Sequence, residues 1–242
     1  MNAPQTIHPA DVATSRPSAA VIDRRHTWCV TYDTPGMSWE YSNAVHESFR
    51  FHEDWPEGLL VYLLGESEAG HRSAGIWTGP QAEQAFFAKI AIDVLTDSVH
   101  ELGAPASDFE PVGRSVNRLL LTPDCYAFAD IGPDPDGASV RALGTDPATV
   151  RIDITALDLP DHASAAEQLG SPDGLLMAMT EDEAGGAIET QVWASEKAAR
   201  EALNEIYLPA LAGICEREPE PAVNRLRRIS FSRAELNSAF ER

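Results

Sequence analysis

Sliding the chain on itself by 116 residues aligns 56–90 with 172–206 without a gap, and this constrains the fold more than any other feature. Eight of the thirty-five pairs are identical: Pro56/Pro172, Gly58/Gly174, Leu59/Leu175, Leu60/Leu176, Gly70/Gly186, Trp77/Trp193, Ala82/Ala198 and Ile90/Ile206. About two or three would match by chance in a chain this rich in Ala and Gly. Each copy runs Pro-acid-Gly-Leu-Leu, an acidic Gly-containing turn, then a stretch ending in Trp. The spacing is far longer than a solenoid unit, so it points to two copies of one small domain.

Each copy reads as β-α-β-β-α-β. In the first, HTWCVTYD (26–33) alternates β-branched and aromatic residues as a strand. Met37, Tyr41, Val45, Phe49 and His52 recur at helical spacing over 36–52. GLLVYLLG (58–65) and HRSAGIWT (71–78) flank a turn and form a hairpin. A long helix is expected over 79–102, opened by Pro80. SVNRLLL (115–121) closes the unit. The second copy gives a strand at 149–157, a shorter helix at 160–170, the hairpin 174–194, a long helix at 195–216 and a closing strand at 222–231. Ser232 with Glu235 three residues on caps a terminal helix. The expected domains are an N-terminal flexible arm (1–23), repeat 1 (24–121), a Gly/Pro/Asp-rich linker (122–148) with a short strand near Cys125–Asp130, and repeat 2 with a C-terminal helix (149–242). The class is α+β: two ferredoxin-like repeats related by a pseudo-twofold. A four-stranded sheet with helices on one face leaves its other face bare, and two copies solve this by setting their open faces together.

The net charge is −20, with Lys89 and Lys197 the only lysines. Such a surface repels phosphate backbones, which argues against nucleic acid and anionic membranes as partners. No run of 18 apolar residues suggests a transmembrane helix, and the first twenty residues lack the apolar core of a secretory signal. Cys29, Cys125 and Cys215 are widely spaced and odd in number, which fits reduced thiols and a cytoplasmic location. GxGxxG, P-loop, HExxH and GxSxG patterns are absent, so nucleotide, zinc-protease and serine-hydrolase chemistries are not indicated.

The residues shared by the copies read as fold-keeping. Trp77 and Trp193 seal the strand-to-helix junctions, and Gly58 and Gly174 supply corners suited to positive φ. Function is expected where the copies differ. The first is rich in aromatic and His residues; Tyr62 corresponds to Ala178 and His71 to Ala187. Such a ring-rich space suits an apolar small molecule, and equally it fills a core. Alternation puts His26, Trp28, Val30 and Tyr32 on one face of the first strand, and His71, Ser73, Gly75 and Trp77 on one face of the third. Gly75 leaves room there for a ligand or for a neighbouring ring.

The Pro-acid-Gly-Leu corner, the strand ending in Trp, VWASEKAAREAL (192–203) and IYLPALAGI (206–214) resemble the dimeric α/β-barrel superfamily, and within it the antibiotic-biosynthesis monooxygenases. The first copy departs from that pattern, with AIDVL in place of LPAL. The resemblance implies a barrel made within one chain, as a monomeric pseudo-dimer or a homo-oligomer of such units. It specifies fold better than chemistry, since the superfamily hosts many reactions. Haem-degrading relatives carry a haem-ligand His where Phe87 and Leu203 stand here, so haem chemistry is disfavoured. What remains is cofactor-free: a monooxygenase, isomerase or cyclase type of reaction on an aromatic or polyketide-like substrate, begun by proton abstraction. The candidate catalytic residues are His46, His71 and Tyr62, with His26 a further base candidate. The candidate substrate-binding residues are Trp28, Tyr32, Asn43, Phe86 and Trp77, with Asn43 placed to orient His46 from one helical turn away. A metal site is not expected. The competing class is a non-catalytic ligand-binding or interaction protein.

Overall fold

The computed structural model describes residues 20–36, 38–49, 51, 55–67, 70–91, 97, 111–122, 125, 147–154, 166, 169–183, 186–212, 215 and 218–232. The elements of the described residues run β1 (Ala20–Pro35), α1 (Trp39–Ser48), β2 (Leu59–Ser67), β3 (Gly70–Trp77), α2 (Pro80–Phe86), β4 (Val112–Leu121), β5 (Ala148–Ile154), β6 (Leu175–Glu183), β7 (Gly186–Trp193), α3 (Glu196–Ala202), α4 (Leu208–Leu211) and β8 (Ala222–Phe231). The strands close into one antiparallel barrel in the order β1-β3-β2-β8-β5-β7-β6-β4. This is the barrel within one chain that the resemblance implies, with the two halves joined edge to edge into one sheet rather than as two separate facing sheets. Each half has the strand order fourth-first-third-second, and its two outer strands pair with the other half through β2–β8 and β4–β6. Among the described residues, closure gives every strand a neighbour on both sides.

The halves correspond in detail. Leu59 and Leu175 pair with Trp77 and Trp193, and in both hairpins the register then shifts by one residue, a bulge at Leu60 and Leu176. Gly58 (φ 81°) and Gly174 (φ 89°) turn the chain into β2 and β6, as the corner pattern predicts. Their carbonyls accept the N–H groups of Thr78 and Ala194, both at 2.8 Å. A Cβ on Gly58 would lie 2.7 Å from Ala82 Cβ, and one on Gly174 3.3 Å from Ala198 Cβ, which explains why this Gly–Ala pair recurs.

Pro80 opens α2 as expected, whereas Ser38 caps α1 and Ser195 caps α3 through their side-chain oxygens. Helix α1 is shorter than the periodicity of 36–52 suggests, because the Ser38 cap fixes its start. Both second helices pass into a π-helical turn at the same place, 87–91 and 203–207. Beyond residue 91 the expected helix to 102 lies outside the described residues except Asp97, as do most of 160–170 and 233–242. β1 starts at Ala20, ahead of the expected boundary at 24; Ala20 to Asp23 pair with Leu121 to Arg118, so this apolar stretch is sheet rather than arm. Cys125 is helical, not strand, and the rest of the expected linker strand is outside the described residues.

Among the described residues, side chains from every strand but β5 make the apolar filling of the barrel: Cys29, Leu63, Ile76, Val116, Leu119, Met179, Val192, Leu226 and Ile229 belong to this interior cluster. The outward row faces the helices, giving a separate layer in each half. At one mouth of the interior sits a cavity of about 40 Å³ lined by Thr31, Gly65, Arg72, Arg151, Glu181 and Thr190 among others. Glu181 is buried there, 3.9 Å from Arg114, and burial raises its pKa against the opposing charges of Arg114 and Arg151.

Candidate active site

The first half's helix layer is built in rows that run across the strands. One row is Tyr32–Ser73–Leu64–Arg228; the next is Val30–Gly75–Tyr62–Ser230. Directly opposed residues share a face, so all eight side-chain positions point towards α1 and α2. The equivalent rows in the second half are Ile152–Glu189–Thr180–Arg118 and Val150–Gln191–Ala178–Leu120. The bulk is swapped: small Gly75 stands beside large Tyr62, whereas large Gln191 stands beside small Ala178.

Helix α1 lays His46 over Tyr62, with ring centroids 5.2 Å apart. The Tyr62 hydroxyl hydrogen-bonds His46, reaching Nδ1 and lying 3.1 Å from Nε2. Burial, then the positive charges of Arg228 and His71, lower the His46 pKa to about 3, so the imidazole is neutral near pH 7. Burial pushes the Tyr62 hydroxyl well above the usual phenol range, with Ser73 and Arg228 opposing. Phenol and imidazole are both neutral at rest, and the tautomer of His46 decides which of them donates. Asn43 is half-buried on α1 and is not a hydrogen-bond partner of His46 among the described residues, so the expected orienting role is not seen; Tyr62 holds the ring instead.

Rings surround this pair. Phe51 meets Tyr62 edge-on at 5.0 Å, Phe49 stacks on Phe51 at 5.4 Å, and Phe86 lies 5.4 Å from Trp77. Trp77 is buried, and a Cβ on Gly75 would come within 2.6 Å of its Nε1, so Gly75 makes room for that neighbouring ring. Trp28 lies across Gly113, half-buried. Tyr32 stacks on Phe87 and donates to Glu83 Oε1 at 3.4 Å; burial and that carboxylate raise its pKa. His71 is buried two positions beyond Ser73 on the same face, 5.6 Å from the Trp39 ring, which Arg227 covers on another side. It is thus near the site but packs on Trp39 rather than on Tyr62. His26 lies in β1, and its side chain is outside the described set.

Sequence reasoning missed Arg228 and Glu83, and placed Ser73 on this face without giving it a part. Arg228 comes from the far half, and its guanidinium bonds Glu47 on α1, the residue after His46. The letters VNRL occur at 116–119 and 223–226 and invite the equation of Arg118 with Arg225. The sheet instead pairs Thr180 with Arg118 and Leu64 with Arg228, an offset of three residues from that reading.

In the second half polar groups and smaller side chains take the matching positions. Glu189 and Gln191 are fully buried; Glu189 Oε1 accepts from Ala166 N (3.0 Å) and Gln191 Nε2 (2.7 Å), and Gln191 Oε1 accepts from Trp193 Nε1 (3.0 Å). Ala199, Ala202 and Leu203 replace Glu83, Phe86 and Phe87. Among the described residues there is no group of three or more His, Cys, Asp or Glu that could hold a metal ion, and no helix long and apolar enough to cross a membrane.

No family model and no curated protein matches the chain. Solved structures do. Two named putative monooxygenases align over 86% of this chain: one from Lactobacillus acidophilus NCFM over 97% of its own length (TM-score 0.54, 13% identity), the other from Fusobacterium nucleatum over 95% (TM-score 0.57, 9% identity). At these identities the likeness is one of fold, and the fold is that of the dimeric α/β-barrel proteins, carried by a single chain.

Proposed function

We propose that the chain is a small-molecule enzyme of the monooxygenase-like barrel type, with one working site in the first half, and that His46 starts its reaction by removing a proton from an aromatic or polyketide-like substrate. The observation that carries this is the Tyr62–His46 pair inside a ring-lined layer whose counterpart in the second half carries Glu189, Gln191 and alanines and no such pair. We also read the barrel as two ferredoxin-like repeats, 24–121 extended back to residue 20 and 149–231; the recurring bulges, π-turns and glycine corners support this.

Neutral imidazole is the form that accepts a proton, but a pKa of about 3, well below the value of about 7 that suits a base, makes His46 a weak one in the resting site, so its protonation relies on the negative charge that develops beside it. The Tyr62 hydroxyl occupies it at rest and is displaced or re-aimed when substrate enters. Rings at Trp28, Tyr32, Phe86 and Trp77 bind the flat body of the substrate, and Glu83 with Tyr32 offers a polar contact on another wall. Loss of a carbon-bound proton leaves an electron pair that spreads onto the substrate's oxygen. Reaction with dioxygen, converting a methylene to a carbonyl and releasing water, balances without a cofactor: one oxygen atom enters the product and one leaves as water. His71, on the Trp39 side, shapes the pocket.

Proton abstraction and oxidation are separable. With 2-tetralone as a probe ketone, the protein should speed deuterium uptake from heavy water, and His46→Gln should abolish that acceleration. Dioxygen uptake above the uncatalysed rate should accompany it if the reaction is oxygenation. Absence of both, in a protein that does not bind the probe either, would favour a non-catalytic role.

A further inference from the structure

Moving a proton onto His46 creates two opposite charges, and only the positive one has so far been placed. Strand β8 of the second half brings a cation to the other. Arg228 lies opposite Leu64, one row along from the Tyr62–Ser230 pair and on the same face. Its side chain is 14% exposed, and it bonds Glu47 at the end of α1, beside His46. One guanidinium nitrogen is engaged by that carboxylate, and a guanidinium carries five N–H donors in a planar fork.

We propose that Arg228 is a substrate-contacting residue that binds the oxyanion formed when His46 takes the proton, so that the substrate class is enolisable ketones and phenols whose oxygen lies between Arg228 and Tyr62. The proposal rests on the reading of His46 as base. In the step itself the C–H or O–H bond breaks, its proton goes to His46 nitrogen, and the electron pair ends on the substrate oxygen. No oxidant takes part. Before reaction, Arg228 opposes a charged His46. Once the oxyanion stands between them, the row of charges alternates, imidazolium, oxyanion, guanidinium. The interaction therefore favours the transition state over the resting site, which is what catalysis requires. It also makes the first-half site incomplete without the second half.

Two other functions are available to Arg228: holding α1 through Glu47, or general surface charge. The test uses 4-nitrophenol, whose anion absorbs at longer wavelength than its acid. The wild-type chain should bind the anion more tightly than the acid, so that the bound probe is about tenfold more acidic than the free one. Arg228→Gln should lose most of that preference while binding the acid form nearly as well. Arg228→Lys should keep part of it. Glu47→Gln should keep it or increase it, since the competing carboxylate is gone. In the free protein Arg228→Gln should move the His46 titration upward, read by imidazole NMR, while lowering proton abstraction from 2-tetralone. Thermal melts of all three variants confirm folding. Equal loss from Glu47→Gln and Arg228→Gln overturns the proposal in favour of a helix-holding role. Binding of the probe without preference for the anion in the wild-type chain overturns it while sparing His46. Failure to bind either form overturns both this inference and the functional reading beneath it.

Discussion

Tyr62 and His46 come from a strand and a helix, sixteen residues apart in the chain, and meet in one hydrogen bond. The consequence for stability has a definite sign. An unfolded His titrates near pH 6.5, and His46 in the fold near 3. Above the upper value neither state holds the extra proton. Between the two, the unfolded chain gains a proton that the fold refuses, so stability falls as pH drops through that window. The slope is up to about 1.4 kcal/mol per pH unit. His46→Gln should therefore lose less stability than wild type between pH 6.5 and 3.5 in denaturant titrations; parallel curves would refute the assigned depression. Tyr62→Phe should remove one buried hydrogen bond, costing about 1 kcal/mol, and should lower probe turnover more than probe binding. Residue types were legible in the sequence: the contrasts Tyr62/Ala178 and His71/Ala187 single out the first half. The contacts were not, because a helix-to-sheet pairing depends on the rotation of α1. Asn43 illustrates this: it lies one turn from His46, but the ring's partner is across the layer.

The hairpin corners show most directly how sequence becomes element. Pro-acid-Gly-Leu-Leu encodes a positive-φ glycine, a carbonyl that ties off the next strand and a one-residue bulge, and both copies use it in the same way. Replacement by alanine should separate the copies. At Gly174 the added Cβ meets Ala198 Cβ at 3.3 Å, so the cost is mostly that of positive φ, about 1–2 kcal/mol. At Gly58 it would lie 2.6 Å from Thr78 Oγ1 and 2.7 Å from Ala82 Cβ, so the cost should be larger, about 3 kcal/mol. Chemical melts of the two variants test the ranking, and an equal or reversed order would count against this packing account. Trp193→Ala should cost about 3–5 kcal/mol, since the ring is fully buried. Strand ends were harder to read. β1 reaches back to Ala20 because Leu119, Leu120 and Leu121 of β4 offer it partners, a fact of tertiary pairing rather than local pattern.

At the scale of the whole molecule, the barrel closes only because each half lends its outer strands to the other. Separate expression of residues 1–136 and 137–242 should yield aggregating or unfolded pieces, whereas co-expression should give a 1:1 complex with an intact melt. Stable monomeric halves would contradict the closure. The repeat predicted that two units pair, but the sequence did not say that β2 meets β8 and β4 meets β6, because edge pairing is decided by shape and not by motif. The cavity at the barrel mouth shows what a single chain permits. Its walls correspond in pairs across the two halves: Gly65 matches Glu181, Thr31 matches Arg151 and Ala74 matches Thr190. Two identical chains meeting here would set each carboxylate against its own image and each guanidinium against another, at close range and out of water. In one covalent chain the image positions are free to differ, and a buried acid faces a glycine instead of itself.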